Sequence, residues 1–364
     1  MVRFVNVPDM ARWIADTGVE AITRGLVDEL EVDFRRWPDF DKRPRVASHS
    51  EHGVIELMPT SDGETYGFKY VNGHPINATR GLQTVTAFGA LADVDSGYPL
   101  MISEMTLLTA LRTAATSAMV ARHLAPRDAT VMAMIGTGAQ SEFQALAFRA
   151  VLGIDTVRVW DVDPDAMEKF RRNAVGLGFD VTVCSGVEDA ITGASIVTTC
   201  TADKRNATIL TDEMVRATSA SRPHGGLHVN AIGGDCPGKT ELDVELVRRS
   251  SVFVEYPDQS FIEGEVQALP RDFPVTEFWQ VLTGERPGRT SDDELTIFDS
   301  GGFAIEDFCA LRYLHREITG TDYYEEIHLI AEPSDPKNLF GEIAADTRPA
   351  SRSDVGVRVP VAGA

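Results

Sequence analysis

The chain has few basic residues and few cysteines. Its 34 Lys and Arg residues stand against 55 Asp and Glu residues, which gives a formal net charge of −21 at pH 7. Nucleic acids and anionic membranes bind basic surfaces, so this balance argues against both as partners. The four cysteines are scattered without a C-x-x-C pair. That pattern is typical of reduced thiols in a cytoplasmic protein rather than of a disulfide framework.

Long hydrophobic runs are also missing. No apolar stretch approaches the length needed to span a membrane, and residues 1–14 lack the continuous apolar segment of a signal peptide. The eight histidines show no H-E-x-x-H or other metal-ligand spacing. We therefore expect a cytoplasmic protein without a metal site, and its 364 residues are enough for two domains.

One stretch, Thr130–Ala150, organises the rest of the sequence. Residues Thr130–Ile135 form an apolar run of strand length, and Gly136-Thr-Gly138 then opens a tight turn into a helix with an apolar face. This is the G-x-G-x-x-G/A fingerprint with Ser141 in the place of the third glycine. Gly136 permits the turn, Gly138 lets backbone amides approach a pyrophosphate, and the helix N-terminus favours its negative charge. The pattern predicts a dinucleotide site.

Asp161 indicates which dinucleotide binds. A second apolar segment, Thr156–Trp160, follows the fingerprint helix and ends at this aspartate. An acid at the end of the second strand suits the adenosine ribose hydroxyls of NAD, whereas it repels the 2′-phosphate of NADP. The sequence therefore predicts an NAD site.

The region 126–302 alternates short apolar strands with helices. This order predicts a Rossmann-like, doubly wound parallel sheet, and we assign the region to an NAD-binding domain. We expect Val252–Glu255 to be the last strand of the sheet. The other strands expected after the fingerprint are Val157–Trp160, Val181–Cys184, Ile196–Thr199 and Leu227–Ile232, and the helices are Pro164–Val175, Val187–Thr192, Asp212–Val215 and Phe261–Ala268.

The residues before this region predict a second, α+β domain. Residues 1–36 show helical spacing, and from Arg43 the apolar residues alternate with a period of two between turn signals. We predict an antiparallel sheet, then a helix at Leu107–Leu124 that Thr106 caps. The strands expected are Val46–His49, Gly53–Met58, Tyr66–Val71, Thr84–Ala92 and Leu100–Glu104.

The C-terminal part of the chain is expected to return to this second domain. The helix predicted at Phe303–Ile318 crosses back, so residues 1–125 and 303–350 form the substrate-binding domain. Residues 351–364 are small, polar and contain Pro and Gly, which predicts a flexible tail.

Three cationic side chains lie on apolar or alternating segments of the substrate-binding domain. Arg45 precedes a strand, Lys69 lies within one, and Arg112 lies in the middle of an almost uncharged helix. Each alone is more often an exposed charge, but a guanidinium in the setting of Arg112 needs a carboxylate or phosphate partner. Glu56 and Met58 point to one face of their strand, from which Glu56 can orient Lys69 across the sheet.

The segment Asn230–Leu242, NAIGGDCPGKTEL, is the most distinctive in the chain. It follows a strand of the nucleotide domain and therefore lies at the carboxyl edge of the sheet, where open α/β folds bind ligands. Asp235 and Lys239 flank its Cys-Pro-Gly turn. Two interpretations stay open: a surface loop with a solvated ion pair, or an acid that grips and deprotonates a substrate amine.

Together these motifs resemble the ornithine cyclodeaminase/mu-crystallin family over essentially the whole chain. The motif Gly233–Leu242 is similar to the ornithine cyclodeaminase branch of the family. Two places depart from the family pattern: Ala217–Gly226 (ATSASRPHGG) is longer than expected between helix and strand, and Gly301 is smaller than the apolar residue expected. The motifs that carry the resemblance are Gly81–Thr84 (GLQT), Arg112–Ala115 (RTAA), Gly136–Ser141 (GTGAQS) and Gly233–Leu242 (GGDCPGKTEL).

The resemblance implies a homodimer formed through the antiparallel-sheet domain, with NAD kept bound throughout the cycle. Asp235 is implied to hold the δ-amine of L-ornithine as acid and base, with Lys69 and Glu56 as further catalytic residues. The residues implied to bind the substrate are Arg45, Met58, Lys69, Arg112, Asp235 and Ser300. Those implied to line the NAD, besides Gly136 and Gly138, are Thr84, Arg112, Ala139, Gln140, Asp161, Ala202, Val229, Asn230, Ala231, Ile232 and Lys239.

The implied reaction converts L-ornithine to L-proline and ammonia. Hydride leaves the ornithine Cα, the δ-amine attacks C2 within the same molecule, ammonia departs and the hydride returns. A base is needed because the free δ-ammonium has a pKa far above neutrality. Alternatives within the family are lysine cyclisation and an NAD-dependent amino-acid dehydrogenase or ketimine reductase. A non-catalytic crystallin-type binder has no need of an acid/base such as Asp235.

Overall fold

Two β-sheets and the helices around them make up the protein in a computed structural model, which describes residues 1–202 and 208–346. The strands are β1 (Val2–Val5), β2 (Val46–His49), β3 (Val54–Ser61), β4 (Thr65–Gly73), β5 (Val85–Asp93), β6 (Pro99–Glu104), β7 (Val131–Ile135), β8 (Thr156–Trp160), β9 (Asp180–Val183), β10 (Ile196–Thr199), β11 (Leu227–Ala231), β12 (Ser251–Val254), β13 (Thr276–Glu277), β14 (Leu295–Asp299) and β15 (Glu325–Ile327). The helices are α1 (Val7–Thr17), α2 (Val19–Arg35), α3 (Thr106–Leu124), α4 (Ser141–Leu152), α5 (Pro164–Gly176), α6 (Val187–Ile191), α7 (Asp212–Ala217), α8 (Val244–Arg248), α9 (Pro257–Glu263), α10 (Phe278–Thr283), α11 (Ala304–Glu317) and α12 (Phe340–Asp346).

The first sheet has the order β15-β1-β6-β5-β4-β3-β2 within the described residues. Neighbouring strands from β2 to β6 are antiparallel, as predicted, β1 pairs in parallel with β6, and β15 forms the edge in an antiparallel pair with β1. Side chains along β3 alternate between buried and exposed, which matches the period of two in its sequence. Helices α11 and α3 lie against one face of this sheet.

The first residues of the chain correct the helical prediction for residues 1–36. Residues Val2–Val5 form β1 rather than part of a helix, and only the two segments after it are helical. The side chains of Val2 and Val5 are buried, and β-branched residues pack well in a strand that pairs with the existing edge of β6.

The second sheet has the order β13-β12-β14-β11-β10-β7-β8-β9, and every pair in it is parallel. The predicted doubly wound Rossmann-like fold is therefore confirmed. The prediction that Val252–Glu255 is the last strand is wrong, because β12 lies inside the sheet between β13 and β14. Strand β14 comes later in the chain but inserts next to β11, and all five of its residues are buried.

The helix that carries Arg112 begins differently from the prediction. Thr106 is the first residue of α3, and its hydroxyl accepts a hydrogen bond from the Ala87 amide at 3.0 Å rather than capping the helix. The carboxylate of Glu104 takes the capping role, because it accepts hydrogen bonds from the amides of Thr106 and Leu107. The longer side chain of Glu104 reaches the free helix amides from two residues before the start of the helix.

Helix α3 joins the two halves of the molecule. It packs against α2 on the side of the first sheet and against α4 on the side of the second. The division into residues 1–125 with 303–350 and residues 126–302 stays a prediction. Residues 347–350 and the predicted tail at 351–364 lie outside the described residues. Among the helices of the described residues, none is both long and apolar enough to cross a bilayer.

Candidate active site

Lys69 and Arg112 lie side by side on the helix-covered face of the first sheet and share one carboxylate. Lys69 Nζ is 2.8 Å from Asp307 Oδ1, and Arg112 Nε is 2.8 Å from the same oxygen. Arg112 Nη1 donates a further hydrogen bond of 2.6 Å to Glu306. Both acids come from the first turn of α11. Arg112 is 5% exposed, so the expectation that this guanidinium needs an anionic partner is confirmed.

Arg45 forms the third member of this cation cluster. Its guanidinium is 3.0 Å from Glu56 Oε2 and 2.7 Å from Glu263 Oε1. It also donates to the carbonyls of Gly301 and Gly302 at 2.7 and 2.6 Å. The arginine therefore ties the first sheet to α9 and to the loop after β14.

Glu56 orients Arg45, and the prediction that it orients Lys69 is wrong. The side chains of Glu56 and Met58 are both buried, as the alternation along β3 implied. The strand register sets Glu56 opposite Val71 and Met58 opposite Lys69, so the carboxylate is displaced along the strand from the lysine. Asp307 on α11 takes that place instead.

Burial shifts the pKa values of several of these charged side chains toward the neutral range. Desolvation, reinforced by the neighbouring Arg112, lowers the pKa of Lys69 to about 8. Desolvation likewise raises the pKa of Glu263 to about 7, that of Asp299 to about 7 and that of Glu306 to about 8. The site can therefore hold or release protons in the physiological range.

Asp235 lies in the loop after β11 and is the most open acid of the site. Its side chain is 51% exposed, and its Oδ1 is 3.2 Å from Lys239 Nζ. Lys239 is buried and also donates to the carbonyl of Thr201 at 2.8 Å. The ion pair of the simpler interpretation is therefore present, but its lysine is inside the protein and fixes an exposed carboxylate.

Gly301 marks the place where this loop approaches the cation cluster. A Cβ built at Gly301 would lie 3.8 Å from the carbonyl oxygen of Gly234 and 3.9 Å from Arg45 Nη2. A cavity of about 50 Å³ opens beside it, with Arg45, Pro237 and Glu263 among its lining residues. The small residue noted in the sequence thus leaves room for a Cβ between Arg45 and the Asp235 loop.

Glu241 holds the two loops that border the nucleotide sheet. Its Oε1 accepts a hydrogen bond from the Thr201 amide at 2.8 Å, and its Oε2 accepts one from the Gly233 amide at 3.2 Å. A Cβ at Gly233 would lie 2.2 Å from the carboxylate of Glu241, so a larger residue there would displace this carboxylate. This clamp sets the course of the chain into Asp235.

The glycine turn after β7 has the geometry that a dinucleotide needs. Gly136 has φ of +98°, and a Cβ there would lie 2.8 Å from the carbonyl oxygen of Cys200, so glycine is required. A Cβ at Gly138 would meet no atom within 4 Å, so its backbone is open to a ligand. Ser141 Oγ donates to the carbonyl of Gly138 at 2.8 Å and takes the place of the third glycine.

Asp161 lies beside this turn at the end of β8. Its Oδ2 accepts hydrogen bonds from the Thr137 amide at 2.6 Å and from the Thr137 hydroxyl at 3.1 Å. An ionised carboxylate has further lone pairs for ribose hydroxyls. Gln140 donates to the Ala110 carbonyl of α3 at 3.0 Å, which ties the turn to the helix that carries Arg112. These residues fit an NAD.

The other residues implied to line the NAD occupy different settings. Val229, Asn230 and Ala231 are buried within β11, and the Asn230 side chain is hydrogen-bonded to His228 and Thr198. Ile232 is partly exposed at the end of that strand, and Ala139 and Ala202 are exposed. Thr84 lies just before β5 of the first sheet, and its carbonyl accepts a hydrogen bond from the His74 amide at 2.8 Å.

Two residues implied to contact the substrate are buried. Met58 is 2% exposed and belongs to the hydrophobic core under the first sheet. Ser300 follows β14, and its hydroxyl donates to Glu255 Oε1 at 2.6 Å. Ser300 therefore lies at the junction of the two sheets, where it connects the loop of Gly301 to β12.

Sequence reasoning missed the acids that complete the cation cluster. Glu306 and Asp307 are adjacent charges in an otherwise apolar segment, FAIEDFCALRYL, and Asp299 ends the buried run of β14. The reasoning applied to Arg112 would have found them, because charges in apolar surroundings need partners. Glu263 carries no such signal, since the sequence of its helix, PDQSFIE, is mostly polar.

The comparisons with known proteins agree with this geometry. The sequence profile of the ornithine cyclodeaminase/mu-crystallin family matches residues 7–322. The ornithine cyclodeaminase of Brucella suis is 59% identical over 341 residues, which cover 94% of this chain and 93% of that protein.

Solved structures with the same fold include two enzymes of related chemistry. A lysine cyclodeaminase, studied for its recognition of L-lysine, L-ornithine and L-2,4-diaminobutyric acid, has a TM-score of 0.84 and 30% identity, and the match covers 93% of this chain and 98% of the other. An archaeal alanine dehydrogenase dimer with bound NAD has a TM-score of 0.79 and 28% identity, covering 90% of this chain and 99% of the other. The chain belongs to the ornithine cyclodeaminase/mu-crystallin family.

Proposed function

We propose that the protein is an NAD-dependent ornithine cyclodeaminase, an ammonia-lyase that converts L-ornithine to L-proline and ammonia. The similarity to the Brucella suis enzyme over 94% of the chain carries this proposal. The buried cation cluster and the exposed acid Asp235 beside it supply the two kinds of group that an α,δ-diamino acid needs. The open glycine turn and the NAD bound by the archaeal neighbour support NAD as the cofactor.

The cation cluster is proposed to hold the α-carboxylate of the substrate. The hydrogen bonds to the acids of α11 use Arg112 Nε and Nη1 and one N–H of the Lys69 ammonium. Arg112 Nη2 and the other N–H groups of Lys69 can therefore donate to a substrate. Burial raises the pKa of Glu306, which favours the neutral form of this acid and lessens the negative charge beside Arg112. The positive charges of Arg112 and Lys69 then favour a bound carboxylate.

Asp235 is proposed to take the proton from the δ-ammonium. Its exposed carboxylate can reach a substrate amine, while buried Lys239 keeps it in place from behind. Held at the glycine turn and Asp161, NAD would supply the hydride acceptor and donor that the reaction needs at Cα. Holding the carboxylate and the δ-amine in fixed positions brings the amine to C2, and intramolecular attack has a large proximity advantage. Glu56 supports this arrangement through Arg45.

A homodimer is proposed from the open face of the first sheet. Large apolar side chains on the face opposite α11 remain exposed, among them Val46 at 65%, Phe88 at 46% and Ile55 at 40%. Clusters of this kind mark protein interfaces. Sedimentation of the purified protein is expected to give the mass of two chains, and a single-chain mass would refute this part of the proposal. A cytoplasmic location is proposed with it.

Lysine cyclisation is the second candidate. The space beside Gly301 can accommodate one more methylene, and the solved lysine cyclodeaminase shares the fold with a TM-score of 0.84. We expect L-ornithine to be the preferred substrate, because the 59% identical relative is an ornithine cyclodeaminase. The ratio of kcat/KM for the two amino acids distinguishes the candidates.

The test is turnover of L-ornithine with NAD⁺ far below the substrate concentration. Ammonia, proline and NADH absorbance are followed together. Equal amounts of ammonia and proline, in large excess over NAD⁺ and without net NADH, support the cyclodeaminase. Accumulating NADH would instead identify an amino-acid dehydrogenase. Inertness with ornithine and lysine, but consumption of NADH with a cyclic imine, would identify a ketimine reductase.

A further inference from the structure

Arg222 is a buried arginine without an acidic partner. Like Arg112 it is 5% exposed, but Arg112 is paired with two carboxylates. Within residues 1–202 and 208–346, no carboxylate lies within 4 Å of the Arg222 guanidinium, whose hydrogen bonds go to Thr218 Oγ1 at 3.0 Å and the Val215 carbonyl at 2.9 Å. Its Nε has no partner there. A buried guanidinium of this kind calls for an anion.

An open cleft of about 420 Å³ lies against Arg222. Arg216, His224 and Arg249 line it as well, and Asp293 is the one acid among the described lining residues. Asp212, just behind the lining, pairs with both Arg216 and Arg249. Three guanidiniums therefore face two carboxylates, and the excess positive charge belongs to Arg222. The volume is in the range of small-molecule sites.

The cleft lies at the opposite edge of the nucleotide sheet from the active site. Leu227 and Leu295, the first residues of β11 and β14, line it. Gly136 and Asp235 follow the last residues of parallel strands of the same sheet. The cleft is therefore separate from both the dinucleotide turn and the cation cluster.

The segment between α7 and β11 builds much of this cleft. It contains two short 3₁₀ turns, at Ser219–Ser221 and Pro223–Gly225. Arg222 lies between the turns and donates hydrogen bonds to Val215 and Thr218 near the end of α7. Ser219, His224 and Gly225 of the same segment line the cleft. The segment thus places a buried cation at this edge of the sheet.

We propose that this cleft binds a small metabolite through a carboxylate or phosphate group that pairs with Arg222. The ligand is a free anion, and it binds at a site distinct from that of the substrate. The inference does not depend on which reaction the enzyme catalyses.

Calorimetric titration of the full-length protein tests the proposal. The protein is saturated with NAD, so that the dinucleotide turn is filled, and the ionic strength is constant. Inorganic phosphate and acetate are the two probes. Saturable binding that depends on Arg222 and Arg249 is expected in addition to any anion held by the cation cluster, and the probe that binds the cleft more strongly tells whether the natural ligand carries a phosphate or a carboxylate.

Three variants locate the binding. R222Q is expected to abolish it, and R249Q to weaken it about tenfold, since a charge-assisted hydrogen bond contributes on that scale. R249Q alters a partly exposed residue, so the test holds even where R222Q does not fold. R171Q is the control, because Arg171 is an exposed arginine of α5 paired with Glu168, and it is expected to bind as the wild type does.

Two results would overturn the proposal. One is the absence of saturable binding of both probes. The other is equal affinity in R249Q and the wild type, which would assign the anion to the cation cluster of the active site instead.

Discussion

The cation cluster and the Asp235 loop belong to the same candidate active site but differ in burial and in the number of ionic contacts that hold them. Lys69 is 2% exposed and Arg112 is 5% exposed, and each is paired with carboxylates from distant parts of the chain. The Asp235 side chain is 51% exposed and, among the described residues, has one ion-pair partner, Lys239. The first region is held by several mutually dependent contacts, whereas the second presents one accessible acid.

This difference indicates how the two proposed tasks are divided. Groups that hold a substrate carboxylate must not move, and a buried ion-pair network provides that rigidity at a large desolvation cost. A group that exchanges a proton with a flexible amine must be reachable. Changes in the cluster should therefore affect stability and activity together, and changes at Asp235 should affect activity more than stability.

Asp235→Asn should have the largest effect on activity. Loss of a general base lowers kcat by about 10²–10⁴, while the unfolding midpoint should fall less than in Asp307→Asn, because Asp235 is exposed and only Lys239 loses its ion-pair partner. Steady-state kinetics and thermal denaturation measure the two effects. Asp272→Asn alters another exposed aspartate, outside the site, and is the control. A D235N variant with more than a tenth of the wild-type kcat would contradict the proposed role.

Asp307→Asn should have the largest effect on stability. It leaves Lys69 and Arg112 without their shared carboxylate, and breaking a buried pair destabilises by about 3–5 kcal/mol. Urea denaturation measures the loss, and activity should fall with it. Glu168→Gln breaks an exposed pair with Arg171 and should leave stability unchanged. Equal stability of D307N and E168Q would show that the cluster is not a rigid network.

Gly302→Ala should disturb the cluster from the side of the loop. Gly302 has φ of +77°, and a Cβ there would lie 2.8 Å from Arg112 Nη1. Gly320 has φ of +79° with no atom within 4 Å of such a Cβ, so Gly320→Ala measures the backbone cost alone. We expect G302A to lose about 1–3 kcal/mol more than G320A from overpacking, with a raised KM for ornithine. The same KM in both variants would contradict the proposed role of Arg112.

The smallest expected effect is a pH dependence of stability that Glu263 contributes. Burial raises the pKa of Glu263 from 4.5 to about 7, so the folded protein binds this proton more tightly than the unfolded chain does. The resulting stabilisation is complete below about pH 4.5 and is lost as the pH rises through about 7. Glu263→Gln should reduce that decline in the free energy of unfolding, and an unchanged slope between pH 5 and 7 would refute it.

Local patterns predicted many elements of the fold but not their order in the sheet. Alternation along β3 and the strand-turn-helix at Gly136 are set by neighbouring residues, and both predictions are confirmed. The insertion of β14 between β11 and β12 depends on packing between segments far apart in sequence. No local pattern specifies that arrangement.

The site shows the same limit. The sequence indicated that Arg112 needs an acid, but the acid it finds, Asp307, is 195 residues away. Glu56 was predicted to orient Lys69 because the two lie on adjacent strands. The strand register sets Glu56 opposite Val71 instead, so that it pairs with Arg45, while Asp307 of α11 pairs with Lys69. Residue chemistry predicts that a partner exists, whereas the tertiary structure decides which one it is.

Deuterium tracing tests most directly whether one hydride leaves and returns within the same active site. L-ornithine deuterated at Cα is turned over with little NAD⁺ and an added pool of unlabelled NADH. The proposed cycle predicts L-proline that retains the deuterium at Cα, with no label in the NADH pool. Proline without the label, or deuterium in the pool, would contradict the internal cycle and indicate separate oxidation and reduction steps.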